Sequence, residues 1–379
     1  MKTVIRRTLY IMLALCIVCT SLTLSACGTS GDDKDRYGII HDTESGGVYI
    51  KLTIDEFNEL GFKYGDSVDV EFSNGYKLEG LPYYNGYYVK SGEPLLIAYP
   101  DNEYIKAAVN IGDDLWYTAE LNENMTAKIT LVSHGTYLAT QEARELNFTD
   151  DRKKYSTDEA YANFRSVSVS CIKPNTLYRS ASPCNTGYKR SAYADTLMSK
   201  ASVTYILNLS DKSKHVNDYI ASSDFNSPYY KSLFDAGMIS ELSLNNDYGS
   251  DQVKLKLAQG LTVMSRSEGP YLVHCTDGDE RTGFVCMLLE ALVGATYEEI
   301  EADFMITYDN YCGVTAQSDP DKYNTIVSDV LAPMVQIVAG DKAADVKSAD
   351  LSAGAEKYLL TAGMSQRAIN QLKDRLAAK

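Results

Sequence analysis

Apolar and polar positions follow one rhythm before about residue 150 and another after it. From Val48 to Tyr137 the apolar runs are short. Val68, Val70 and Phe72 alternate with polar neighbours, the period of a strand with one buried face. Ile105 to Val109 and Ala127 to Val132 continue in that style, and the pairs Asn74-Gly75 and Asn85-Gly86 carry the signature of hairpin turns. Thr53-Ile54-Asp55-Glu56 has the spacing of a capping box, so a short helix is expected there, ended by Gly61. The pattern predicts a small β-rich domain over 38–148.

Beyond the charged stretch Thr149 to Lys154 the rhythm becomes that of alternating buried strands and helices. Val203 to Leu209 is a continuous apolar-leaning run of strand length, and Tyr271-Leu272-Val273 is another, ending at His274. Phe284 to Val293 is apolar on nearly every face and stops at Gly294, which predicts a helix buried on all sides. Thr296-Tyr297-Glu298-Glu299 is a second capping box. Pro333 should kink or interrupt a helix, Gly363 should stop another, and Ile369, Leu372 and Leu376 share one face of a last one. The expected fold class is therefore α/β, with a central sheet flanked by helices over 149–340. A helical segment over 341–379 should pack on it.

Composition changes this picture at the start of the chain. Lys2, Arg6 and Arg7 precede an apolar run from Leu9 to about Val18, and Leu24-Ser25-Ala26-Cys27 follows. That order is expected of a cleaved export signal over 1–26 rather than of a spanning helix. The cysteine after small residues resembles the bacterial lipoprotein signal, which makes Cys27 the expected lipidation site, with a flexible tether over 27–37. Localisation at a cell-envelope membrane follows as the expectation. Loss of 1–26 takes the formal net charge from −15 to −18. So acidic a chain will not seek nucleic acid through bulk electrostatics. The cysteines Cys171, Cys184, Cys275, Cys286 and Cys312 show no metal-ligand spacing, and only Cys171 with Cys184 lies close enough to suggest a local disulfide. No metal or other cofactor is expected.

The chemistry concentrates in His274-Cys275-Thr276-Asp277-Gly278-Asp279-Glu280-Arg281-Thr282-Gly283. It sits between a predicted strand and a predicted helix, the order an anion site requires. Five residues between Cys275 and Arg281 let the backbone of Thr276, Asp277, Gly278, Asp279 and Glu280 curl so that successive N–H groups face a phosphate, with the helix N-terminus behind them. That field favours thiolate over thiol at Cys275. Arg281 offers a planar fork of donors that a lysine does not match. Gly278 permits the tight turn, Gly283 lets the helix approach the strand, His274 can fix the geometry at the cysteine, and Thr282 offers a hydroxyl to the sulfur as it leaves. The constellation reads as a nucleophile that forms a phosphocysteine.

HCTDGDERTG resembles the active-site loop of the cysteine-based protein tyrosine phosphatase superfamily. LYRSASPCNTGYKRSAYADTL, VTYILNLSD, EGPYLVHC and TYDNY narrow the resemblance to bacterial tyrosine phosphatase-like proteins of the atypical, exported kind, over roughly 165–315. In the first half, EYIKAAVNIGDDLW resembles part of a small β-barrel appended to some adenosyl-transferring enzymes, a match too short to carry function. The phosphatase resemblance implies hydrolysis of a phosphomonoester on a protein or small molecule, phosphotyrosine or another aryl phosphate before all. Inositol-phosphate or phosphoinositide hydrolysis is the alternative within the superfamily. Binding of a phospho-ligand by a surface lipoprotein without turnover is the alternative outside it.

Relatives carry their general acid about thirty residues before the cysteine. Asp247, in Asn245-Asn246-Asp247-Tyr248-Gly249, lies 28 residues ahead of Cys275. Asp211 and Glu280 are the other candidates. Many relatives also have lysine where this chain has Asp279. At about 8 Å and an effective dielectric near 20, each of the two charges so reversed amounts to ~2 kcal/mol against one phosphate charge before screening. Asp279 is expected to point into water and tune the substrate, while Arg179, Lys189 and Arg190 restore positive potential as substrate-binding residues.

Overall fold

The computed structural model describes residues 35–99, 102–145, 148–341 and 344–378. The expected export signal over 1–26, the expected lipidation site Cys27 and most of the expected tether lie outside them. Among the described residues no helix is long and apolar enough to cross a membrane. The first strand opens at Arg36, so Arg36 and Tyr37, expected in the tether, already belong to folded structure.

Seven strands close into a barrel: β1 (Arg36–His41), β2 (Val48–Thr53), β3 (Ser67–Phe72), β4 (Lys77–Tyr84), β5 (Pro94–Ile97), β6 (Tyr104–Val109) and β7 (Thr126–Ser133). Their order is β1-β2-β6-β5-β4-β3-β7, and β7 returns to β1, so no edge is left open. Val68, Val70 and Phe72 point inward and are fully buried, as the alternation predicts. Thr53 and Glu56 make both bonds of the capping box ahead of the helix Ile54–Glu59. Asn74-Gly75 turns β3 into β4, with Gly75 at φ 88°. Asn85-Gly86 makes no hairpin: β4 and β5 pair in parallel, so the chain between them must travel back along the barrel. That long connection carries Tyr87 and Tyr88 to the rim.

The second sheet has five strands: β8 (Arg165–Ser166), β9 (Leu177–Ser180), β10 (Tyr205–Asn208), β11 (Ile239–Glu241) and β12 (Tyr271–His274), in the order β11-β10-β12-β9-β8. All neighbours run parallel except β8 and β9. Alternation along these strands feeds two cores. Leu177, Leu207 and Val273 face one layer of helices, while Tyr178, Ile206 and Leu272 face the other. The helix Glu280–Val293 lies within the first layer and is covered on nearly every side. The helices Leu351–Thr361 and Gln366–Leu376 supply Leu359, Ile369, Leu372 and Leu376 to that same core. Pro333 follows a π-helical turn, Val327–Leu331, at the start of the helix Ala332–Ala339.

All five cysteines among the described residues are free thiols, so the local bridge between Cys171 and Cys184 does not form. Cys171 packs against the first core and Cys184 is buried in the second, on opposite faces of the sheet.

One buried group stands apart. Glu290 is 1% exposed, neither carboxyl oxygen has a hydrogen-bond partner, and burial followed by the nearby Asp303 charge pushes its carboxyl well above the usual range. The folded chain therefore holds Glu290 protonated, whereas the unfolded chain releases that proton above about pH 4.3. Stability is lost as pH rises from there. Glu290→Met should raise unfolding free energy by about 1–3 kcal/mol at pH 7 and by less at pH 4. Urea unfolding at the two pH values measures this; an unchanged difference between them would contradict it.

Candidate active site

Cys275 directly follows β12, the middle strand of its sheet, and is 3% exposed. Between it and the helix Glu280–Val293 the loop turns all its carbonyl oxygens to partners outside the curl. The Cys275 oxygen accepts from His274 Nδ1 at 3.1 Å, and the Thr276 oxygen from the Ser182 amide at 2.9 Å. The Asp277 oxygen accepts from the Tyr311 hydroxyl at 2.6 Å. The Gly278 oxygen accepts from Asn163 Nδ2 and Arg179 Nη2, each at 3.1 Å, and the Asp279 oxygen from the Gly283 amide at 2.6 Å. The amides of Thr276, Asp277, Gly278 and Asp279 meet no acceptor among the described residues. Four adjacent unpaired N–H groups beside a helix N-terminus make an anion site.

Glycine at 278 is a steric requirement. Its φ is +71°, and an added Cβ would lie 2.4 Å from the Ser180 carbonyl. The partners that hold the loop form a buried network. Asp303 receives Arg179 Nη1 at 2.7 Å and Arg165 Nε at 3.1 Å. Burial alone would raise the Asp303 carboxyl, but the two guanidinium groups hold it below the ordinary carboxylate range. Asn163, at φ 48°, joins the Gly278 carbonyl to Thr307 and Arg165.

Arg281 lies at the mouth of the loop, with Nη2 3.1 Å from Thr276 Oγ1 and Nη1 3.4 Å from the Leu244 carbonyl. Thr282 is fully buried and its hydroxyl has no partner. Burial pushes the His274 imidazole down to about 4, so the ring is neutral and meets the loop as a donor to the Cys275 carbonyl rather than as a charge.

The candidate acids separate by position. Asp247 lines the cleft together with Cys275 and Arg281, and its carboxyl has no hydrogen-bond partner among the described residues. Glu280 lines the cleft too, but its carboxyl is engaged by Arg144 at 3.2 Å and by Asn246 at 2.8 Å. Asp211 does not reach the cleft; it is buried against Asn208, Ser210 and Tyr219. Asp279 differs from expectation. It is half-buried rather than turned to water, and burial, followed by the charges of Glu280 and Asp277, pushes its carboxyl up to about 8.

Three cations expected to meet substrate stand elsewhere. Arg179 is 1% exposed and spent on Asp303 and the Gly278 carbonyl. Arg190 is equally buried inside a cage of Phe148, Tyr155, Tyr161 and Tyr311, with its centre 4.6–5.1 Å from the ring centroids. Its donors go to Asp150 and to the Tyr161 and Thr149 carbonyls. Lys189 is exposed but does not line the cleft.

The cleft above Cys275 encloses about 1430 Å³, and its far wall is the barrel. Arg144 joins the two, lying 5.6 Å from the Tyr88 ring and 3.2 Å from Glu280. Nothing local in the sequence marks Arg144, Asn163 or Asp303 for the site, whereas Tyr311 closes the TYDNY segment. Among the described residues no group of three or more His, Cys, Asp or Glu side chains is placed to hold a metal ion.

A solved structure of an uncharacterized conserved protein from Thermotoga maritima aligns with 24% identity over 25% of this chain and 35% of that one, with a TM-score of 0.22. The chain thus spans about a third of that structure's length. No curated protein matches it. Residues 159–378, which run from just before β8 through the C-terminal helices, match the model of the tyrosine phosphatase family.

Proposed function

Because this chain belongs to the tyrosine phosphatase family, we propose that it hydrolyses phosphomonoesters with Cys275 as nucleophile and aryl phosphates, phosphotyrosine among them, as substrates. The observation that carries the proposal is the loop backbone: every carbonyl from Cys275 to Asp279 is occupied outside the curl, and the amides from Thr276 to Asp279 are left for an anion.

In this reading the three non-bridging phosphate oxygens take the loop amides and the Arg281 fork. The Cys275 thiolate attacks phosphorus in line with the ester oxygen. The P–O bond breaks as the S–P bond forms, and the departing oxygen takes a proton from Asp247. Water then attacks phosphorus, Asp247 takes its proton, and the S–P bond breaks to return the thiolate. The Thr282 hydroxyl, buried and without a partner, is available to the sulfur as it leaves. The test is phosphate release from an aryl phosphate by the purified protein in the presence of a chelator; no release would remove the reading.

Asp279 sets a boundary on the substrate. Near neutral pH it carries a proton, and above about pH 8 it becomes an anion at the rim of the loop. Activity on an inositol polyphosphate should therefore fall, relative to activity on an aryl monophosphate, as pH rises through that region. Asp279→Asn should abolish the step, and Asp279→Lys should raise the ratio about tenfold or more at low salt. Equal pH profiles for the two substrates in the unsubstituted protein would place Asp279 away from the substrate path.

A further inference from the structure

A pocket for phosphotyrosine alone would be far smaller than this cleft, whose 1430 Å³ exceeds the roughly 300–1,000 Å³ of most small-molecule sites. The extra space is bounded by the barrel. Tyr84, Tyr87, Tyr88, Tyr99 and Tyr137 line it, with ring centroids 5.5 Å apart for Tyr84 and Tyr88 and 6.2 Å for Tyr87 and Tyr99. Their placement is fixed from behind. The Tyr87 hydroxyl accepts from the buried Lys106 ammonium at 3.2 Å, and Tyr88 faces Arg144.

Charge in the cleft is one-sided. Of its three cations, Arg281 faces the phosphate position and Arg144 is paired with Glu280, which leaves Lys90 alone at the rim. Opposed to it are the exposed carboxylates of Glu79, Glu93 and Asp329, of which Glu79 is shared with Lys77, and Asp247 at half exposure. Near the floor the Tyr248 hydroxyl is buried at 3% exposure with no partner. A wall of tyrosine faces attracts cationic side chains as well as apolar ones. Aromatic faces and uncompensated carboxylates around a single anion hole are complementary to one phosphate surrounded by positive charge.

We infer that the substrate is a phosphotyrosyl polypeptide with lysine or arginine flanking the phosphorylated residue, and that the barrel is the part of the enzyme that selects it. The inference rests on the phosphatase reading. The phosphate enters the Cys275 loop while flanking residues of the peptide lie along the barrel rim. Their cations meet Glu79, Glu93 and Asp329, and their aliphatic stems cover the tyrosines. The area offered by two walls also suits an extended chain better than a compact polyanion.

The experiment compares catalytic efficiency on three phosphotyrosyl nonapeptides, with basic, glycine or acidic flanks, and on a simple aryl phosphate. At low ionic strength the basic peptide should exceed the acidic one about tenfold or more, and added salt should shrink the gap. The triple variant Glu79→Gln, Glu93→Gln, Asp329→Asn should cut that ratio severalfold; because both peptides report on the same protein, a folding defect lowers both and leaves their ratio unmoved. Equal efficiencies, a preference for acidic flanks, or a ratio unchanged in the variant would overturn the inference. So would turnover of phosphoinositide vesicles above that of every peptide. If the aryl phosphate is hydrolysed and no peptide is, the inference fails while the phosphatase reading stands. If nothing is hydrolysed, both fail.

Discussion

Cys275→Ser abolishes turnover of an aryl phosphate, by about 10⁴-fold or more, and leaves binding of tungstate, a phosphate analogue, within severalfold of the unsubstituted protein. The two halves of this expectation have separate causes. Turnover needs a nucleophile able to form the S–P bond, and a serine hydroxyl is a far weaker nucleophile than a thiol group. Binding needs the amides of Thr276 to Asp279 and the fork of Arg281, none of which depends on the sulfur. The substitution is nearly isosteric at a site 3% exposed, so the melting temperature should move little. Turnover is followed by phosphate release and binding by titration calorimetry. Retained activity would remove Cys275 from the mechanism; loss of activity together with loss of tungstate binding and of the thermal transition would show only that the fold had failed.

Asp247→Asn should lower turnover of a phenyl phosphate or phosphotyrosine by roughly 100-fold, and that of a nitrophenyl phosphate far less, because nitrophenolate departs without a proton. The contrast between leaving groups separates proton donation from any other loss. Asp247 is the cleft carboxyl with freedom to serve: Glu280 is held by Arg144 and Asn246, and Asp211 lies outside the cleft. Asp279 is the competitor, since burial keeps a proton on it near neutral pH. Leaving-group dependence in Asp279→Asn and not in Asp247→Asn would transfer the role. Asp211→Asn, which disturbs the contacts with Asn208, Ser210 and Tyr219, should cost stability without that dependence.

What the sequence makes legible is local. The capping boxes at Thr53 and Thr296, the alternation of Val68, Val70 and Phe72, and the strand, loop and helix around Cys275 are set by neighbours within a few residues, and all stand in the structure. Charge is legible only as charge. Arg179 and Arg190 read as surface cations near an anion site, yet each is almost wholly buried, because Asp303 in one case and four aromatic rings in the other lie far along the chain. Asn85-Gly86 has the residues of a hairpin turn, but the parallel pairing of β4 and β5 is decided by closure of the barrel, which no dipeptide encodes. For the same reason Arg144, which joins the barrel to Glu280, has no sequence signal at all.

The outward bonds of the loop carbonyls bear on how this site can change. Asn163, Arg179, Ser182, His274 and Tyr311 fix the backbone from outside, so the shape of the anion hole is not entrusted to the side chains of Thr276, Asp277, Asp279 and Glu280. Catalytic geometry and substrate choice are thereby assigned to different residues and can drift independently. A library that varies positions 279 and 280 while keeping Thr276, Gly278 and the five outer partners should yield many folded proteins that still bind a phosphate analogue but differ in which phosphoester they accept. Varying Asn163 or Tyr311 should give few.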